Sequence, residues 1–282
     1  MSRTKVIFAV LCAVGVLSGR DLAAKEPAKV AEPTNAAATA AKKSAQEAEI
    51  DAKYQAIVAK LPPDEQAWEH TLQANLGSFY VPIHKRLRVQ GRSSCWDYVQ
   101  DDPQLPRVLL IGDSVSGGYT LPARRALAGK ANVHKAPENC GPTANGLKKL
   151  DVWLGNGKWD VIHFNFGIHD RATPPADYEQ RLEKIVIRLQ KTGAKLIWAS
   201  TTPIPRDEAK KQTPESIIER NAIAARVMQK HNIAVDDLFA FITPHLATAQ
   251  NPNDVHFTAK GYELLGGQVA ESIKASLKAK QP

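Results

Sequence analysis

Four short clusters carry side chains able to do chemistry together: Gly112-Asp113-Ser114, Pro137-Glu138-Asn139-Cys140-Gly141-Pro142-Thr143, Gly167-Ile168-His169-Asp170 and Asn253-Asp254-Val255-His256. A serine hydroxyl is a weak nucleophile until an adjacent imidazole takes its proton. A carboxylate beside that imidazole fixes the tautomer that leaves the other ring nitrogen free to do so. Ser114, His256 and Asp254 supply those three types. The oxyanion formed when such a serine attacks a carbonyl needs donors aimed at it. The backbone N–H of Ser114, the N–H of Gly141 and the side chain of His169 are the candidates, Gly141 because a glycine lets the main chain approach a ligand closely. Each cluster also has a purely structural reading. Asp113-Ser114 and His169-Asp170 serve equally as helix caps, the segment around Gly141 as loop punctuation, and Asp254-Val255-His256 as a helix start.

To act together these residues must be brought to one place by the elements that carry them. The apolar run Arg107 to Ile111 ends abruptly in the Gly-Asp-Ser turn, and Gly117-Gly118 follow in a segment read as helix, which puts Ser114 at the carboxyl end of a strand. Further strands are expected over 131–135, 160–166, 194–200 and 233–236, with helices between them, most clearly over about 176–191 and 214–230, and a last one from Thr258 to about Lys278. Alternation of this kind predicts an α/β fold, a mostly parallel five-stranded sheet with helices on both faces. In that architecture ligands sit beyond the carboxyl ends of the strands, where Ser114 stands.

Across roughly residues 105 to 275 the order and strand context of the four clusters resemble the SGNH or GDSL-type hydrolase family. Gly112-Asp113-Ser114 matches its first block, Gly141 falls where it places a second oxyanion glycine, Gly167-Ile168-His169-Asp170 stands where it shows Gly-x-Asn-Asp, and Asp254 and His256 lie where it has its Asp and His. The resemblance implies a flavodoxin-like three-layer α/β/α sandwich and ester hydrolysis through an acyl-serine. Ser114 would be nucleophile, His256 base and then acid, Asp254 its orienter, and Ser114, Gly141 and His169 the oxyanion donors, with no metal or other cofactor. Two positions depart from the pattern. His169 replaces the third-block asparagine, and Asn253 stands three before the histidine where the family usually has its aspartate, so that Asp254 precedes His256 by only two. In an extended Asp-x-His both side chains lie on one face, which keeps Asp254 as the expected orienter.

The remainder of the chain bounds location and partners. Residues 1–24 read as an export signal, with Arg3 and Lys5 before an apolar run from Val6 to Leu17 and small residues ending at Ala23 and Ala24, a retained anchor being the alternative. Losing them removes Arg3, Lys5 and Arg20 against Asp21 and takes the net charge from +8 to +6, with no basic tract of the kind that binds nucleic acid. Residues 25–43, rich in Ala, Lys and Pro, are expected to be a disordered tether. Residues 44–104 are expected to form a helical N-terminal extension, with helices over about 44–60 and 64–76, ahead of a hydrolase domain spanning 105–282. Cys95 and Cys140 remain in the exported chain, and both a disulfide and two buried thiols are open. Export, and the lack of a long lipid-binding apolar stretch, favour a polar substrate, hence a carbohydrate O-acyl esterase releasing acetate. A lipase, thioesterase or acyltransferase would use the same triad, and a non-catalytic glycan-binding or envelope protein the same fold. Trp153, Trp159 and Trp198 are either a sugar-stacking platform or core, and the run His84 to Arg88 with Arg92 either an anionic contact or a solvated face.

Overall fold

The computed structural model describes residues 35–209 and 212–278, so the expected export signal and the first part of the expected tether lie outside the described residues. The chain divides after Ser44 into two units, and the sheet, its helices and the candidate site all belong to the second. Helix α1 spans Asn35–Val58 and takes in residues 35–43, which the sequence predicts as disordered. Alanine has the highest helix propensity of any residue, and here it outweighs the lack of an apolar face.

Five parallel strands, β1 (Arg107–Ile111), β2 (Asn132–Lys135), β3 (Val161–Phe164), β4 (Lys195–Ala199) and β5 (Ala234–Asp236), are ordered β2-β1-β3-β4-β5. Residues on successive strand positions point to opposite faces. Val108 and Leu110 accordingly join a core with Val115, Tyr119, Leu265 and Val269 on one side. Leu109 and Ile111 join Leu150, Leu182, Ile185 and Val227 on the other. The first side is covered chiefly by α4 (Ser114–Ala126) and α10 (Ala259–Lys278), the second by α5 (Thr143–Leu154), α6 (Pro175–Gln190) and α7 (Pro214–Lys230). Two short helices, α8 (Leu238–Ile242) and α9 (Leu246–Ala249), follow β5. This is the three-layer α/β/α sandwich with a five-stranded parallel sheet.

Helices α4 and α10 approach closely because Gly266 lies on the α4 main chain, where a Cβ would come within 2.9 Å of the Ala123 nitrogen and 3.0 Å of the Tyr119 oxygen. Before the sheet come α2 (Pro63–Asn75) and α3 (Gly77–Val89). The sequence reading lacked α3, whose interior Pro82 and basic run His84 to Arg88 do not advertise a helix. A buried carboxylate ties these helices together. Glu69 accepts the Tyr54 hydroxyl at 2.6 Å and meets His84 Nε2 at 2.8 Å, with the Arg88 guanidinium 3.4 Å away. Burial alone would raise the Glu69 pKa, but the hydrogen bonds and charges of its partners bring it below the ordinary carboxylate value. The basic run is therefore largely spoken for, since Lys85 also pairs with Asp51 and Arg88 with Glu65. Cys95 and Cys140 are free thiols, each pushed up to about 11 by burial, against the opposing charge of Lys135. No helix among the described residues is long and apolar enough to cross a membrane.

Candidate functional site

The strand order places the topological switch point between β1 and β3, where open α/β sheets bind ligands. Ser114 follows β1 as the first residue of α4. The turn is built locally. Asp113 Oδ1 accepts the Val115 N–H at 2.9 Å and so caps the helix, while the Ser116 hydroxyl returns to the Asp113 carbonyl at 2.8 Å. Asp113 is thus engaged in holding the turn, and Ser114 stands in the first turn of α4, where the helix dipole favours negative charge. The buried Lys135 ammonium donates to the Gly112 carbonyl at 2.8 Å, pinning the turn from β2.

His256 reaches this turn from the loop between α9 and α10. Its Nε2 lies 2.8 Å from Ser114 Oγ, and its Nδ1 lies 2.7 Å from Asp254 Oδ1. With Nδ1 protonated toward the carboxylate, Nε2 is left to accept the serine proton. The loop is closed at its base by a bridge between Gln250 and Phe257 and by the Asn251 N–H on the His256 carbonyl at 3.0 Å. Asn253 turns it, in the left-handed region at φ 54°, a conformation that asparagine tolerates better than most residues. Asp254 and His256 do not lie in an extended segment, as the sequence reading supposed. They occupy a bend in which Asp254 Oδ1 accepts both the ring and the backbone N–H of His256, the latter at 3.1 Å. Partial burial would raise the Asp254 pKa, but these hydrogen bonds and the imidazole charge lower it below the usual carboxylate value, so the group stays ionised. Asn253 makes no hydrogen bond to His256.

The side expected to hold the oxyanion is assembled around a buried aspartate. Asp170 closes the 3-10 turn Ile168–Asp170 that follows β3 and carries His169. Its carboxylate accepts the Thr143 N–H at 2.8 Å and the Thr143 hydroxyl at 2.7 Å at the start of α5. The His169 turn and the Gly141-Pro142 loop are thereby tied to each other. Gly141 takes φ +62°, which favours glycine, and its neighbour Cys140 donates its N–H to the Gly112 carbonyl at 3.2 Å, next to the serine turn. His169 is exposed, makes no hydrogen bond among the described residues, and lines the same cleft as Ser114 and His256.

That cleft, about 520 Å³, has a wall that sequence reasoning did not supply. Phe79 and Tyr80 of α3 stand across it, their rings edge to face with centroids 4.8 Å apart. Phe79 is 70% exposed, and Tyr80 Oη accepts from Asn139 Nδ2 at 2.6 Å. Only the adjacent aromatics Phe79 and Tyr80 ahead of the basic run hinted at this, and nothing local fixed where that segment would dock. Of the three tryptophans, Trp153 and Trp198 are core and Trp159 is half-buried; none lines this cleft. His163 is core too, its Nε2 3.0 Å from Asp236. Among the described residues no group of three or more His, Cys, Asp or Glu side chains is placed to hold a metal.

The geometry agrees with what similarity to known proteins shows. The model of the GDSL-like lipase/acylhydrolase family matches residues 110–264, more than half of the chain and the whole stretch from β1 into α10. A lipase/acylhydrolase from Enterococcus faecalis is similar in structure, with a TM-score of 0.54 and 26% identity over 63% of this chain and 100% of that one. An acetylxylan esterase from Geobacillus stearothermophilus has a TM-score of 0.51 at 14% identity, covering 62% of this chain and 95% of its own, a likeness of fold. Comparison with curated proteins gave no significant match. With the family model spanning the serine turn, the His169 turn and the histidine loop in their order, the chain belongs to the GDSL-like lipase/acylhydrolase family and is a carboxylic ester hydrolase of the SGNH/GDSL type.

Proposed function

We propose that the protein is an exported serine esterase that works through an acyl-serine intermediate and removes short acyl groups, acetyl foremost, from carbohydrate. The observation that carries the mechanism is the hydrogen-bonded chain from Ser114 Oγ through His256 to Asp254, at 2.8 and 2.7 Å. Ser114 Oγ attacks the ester carbonyl carbon and its proton passes to His256 Nε2. Asp254 holds the imidazole in the required tautomer and offsets the charge it acquires. The negative oxygen of the tetrahedral intermediate faces the Ser114 and Gly141 N–H groups and the His169 ring. Collapse expels the alcohol, which takes the proton from His256. Water then repeats the sequence, and the acid leaves with Ser114 restored.

The character of the cleft supports a polar substrate. Beside the triad it is lined by Asn139, His169, Arg171, Gln212 and Asn253, groups suited to hydroxyl-rich ligands, with Phe79 as an exposed ring for a sugar face. The leader read over residues 1–24 supports export. A serine-directed phosphonate should label Ser114, and Ser114→Ala should abolish both labelling and release of acetate from acetylated polysaccharides. The mechanism is wrong if Ser114→Ala retains turnover of an aryl acetate. Long-chain esters preferred over acetyl esters would make the protein a lipase or thioesterase, and acetyl transfer to sugar in place of acetate release would make it a transferase.

A further inference from the structure

A second cavity, of about 330 Å³, opens beside strand β2 and shares no lining residue with the cleft that holds Ser114. Its size falls in the range of small-molecule sites. Its walls come from α2, the segment before β1, α4, β2 and the end of α5. The electrostatics single out one group. Arg107 Nε and His134 Nε2 both meet Asp101, each at 2.7 Å, and Lys135 is committed to the Gly112 carbonyl. Arg124 has no carboxylate within ion-pair distance. Its Nε donates to the Val133 carbonyl at 2.8 Å, and its two terminal nitrogens have no hydrogen-bond partner among the described residues. Burial lowers its pKa by more than the nearby Cys95 and Asp97 raise it, so the guanidinium is only partly compensated.

The walls add a second requirement. The indole N–H groups of Trp68 and Trp159 are satisfied by the Trp96 and Leu154 carbonyls, so these two half-buried side chains offer a ligand ring surface and no donor, one face of Trp159 already carrying the Arg107 guanidinium, while Trp153 beneath them is core. Free polar capacity besides Arg124 includes Asp97, whose Oδ2 takes the Ser94 N–H while Oδ1 is left over, the Tyr98 hydroxyl and the Asn156 amide. One free guanidinium fork matches one carboxylate. A phosphate dianion asks for more free cationic donors than remain, and a neutral sugar leaves Arg124 only partly compensated. Aromatic faces suit the apolar face of a pyranose, while Asp97 and Tyr98 suit its hydroxyls.

We propose that this cavity binds a hexuronate unit of an acidic glycan, with Arg124 on the carboxylate and the pyranose against the tryptophan walls. The site lies apart from the triad and is independent of the esterase reading, since binding is measured without turnover. Calorimetric titration of the full chain with sodium glucuronate, followed also by tryptophan fluorescence, tests it. Glucuronate should bind at least about tenfold more tightly than glucose, acetate or inorganic phosphate, because each of these lacks the charge, the ring or the single carboxylate. Arg124→Gln should weaken glucuronate by at least about tenfold at unchanged circular dichroism. Equal binding of glucose, equal or tighter binding of phosphate or acetate, or no glucuronate binding to the wild-type chain would each overturn the proposal. So would loss of binding in Arg171→Gln, in the Ser114 cleft, with Arg124→Gln unaffected. If Arg124→Gln fails to fold, the ligand series on the wild-type chain decides alone.

Discussion

At the scale of the residue, the arrangement assigns different duties to two adjacent side chains. Asp254 Oδ1 accepts both N–H groups of His256, whereas Asn253 supplies a backbone turn. Asp254→Ala should therefore lower kcat by about 10²- to 10⁴-fold, the scale on which an unoriented histidine costs turnover, with Asn253→Ala much milder. Steady-state kinetics on an aryl acetate separate the two, and the reverse order would move the orienting role to Asn253. His169→Ala should cost about 10²- to 10³-fold in kcat, as for loss of one oxyanion donor, and His169→Asn should recover part of it. An unchanged rate in His169→Ala would remove that residue from the site. Ser114 and His256, which the structure brings within 2.8 Å, could be singled out in the sequence because Gly-Asp-Ser after an apolar strand and a histidine beside a carboxylate are local patterns. The geometry of Asp254 was not, because a bend held by a side-chain to backbone hydrogen bond leaves no trace in an extended-strand periodicity.

At the scale of the element, the hydrogen-bonded chain of Ser114, His256 and Asp254 spans two segments whose relative position depends on how α4 seats α10. Gly266 meets α4 main chain, which cannot step aside as a side chain would. Gly266→Ala should destabilise the protein by about 1–3 kcal/mol, the usual cost of forcing extra volume into a packed interface. It should also depress kcat, because displacement of α10 moves the His256 loop that precedes it. Thermal unfolding and kinetics on the same sample test both effects, and a Tm unchanged from wild type would show that the interface has slack. The five strands were readable because β1 and β3, buried on both faces, show as continuous apolar runs bounded by turns. Helix α3 was not, since Pro82 and four charged or titratable residues obscured its buried face, which includes His84. With α3 went Phe79 and Tyr80, whose place in the cleft is a matter of tertiary docking that no local pattern encodes.

At the scale of the whole molecule, ionisation sets the acid limit of stability. Burial lowers the His134 pKa by more than Asp101 raises it. The unfolded imidazole, with its ordinary pKa of about 6.5, therefore takes a proton that the folded one refuses. The stability His134 contributes is full above that value and is lost as pH falls below it toward the folded pKa. The depressed carboxylates of Glu69 and Asp254 act in the same sense lower down, fully present above about pH 4 and lost as pH falls through their folded values. Denaturant midpoints measured from pH 8 to pH 3 should fall in two stages, and His134→Gln should remove the upper one; an upper stage that survives the substitution belongs to another group. The separation of 142 positions from Ser114 to His256 bears on biosynthesis. A chain emerging N-terminus first completes Ser114 and its capped turn while His256 is still unmade. With Ser114 and His256 in the roles proposed for them, ester hydrolysis would begin only when α10 docks, and activity would report completion of the fold.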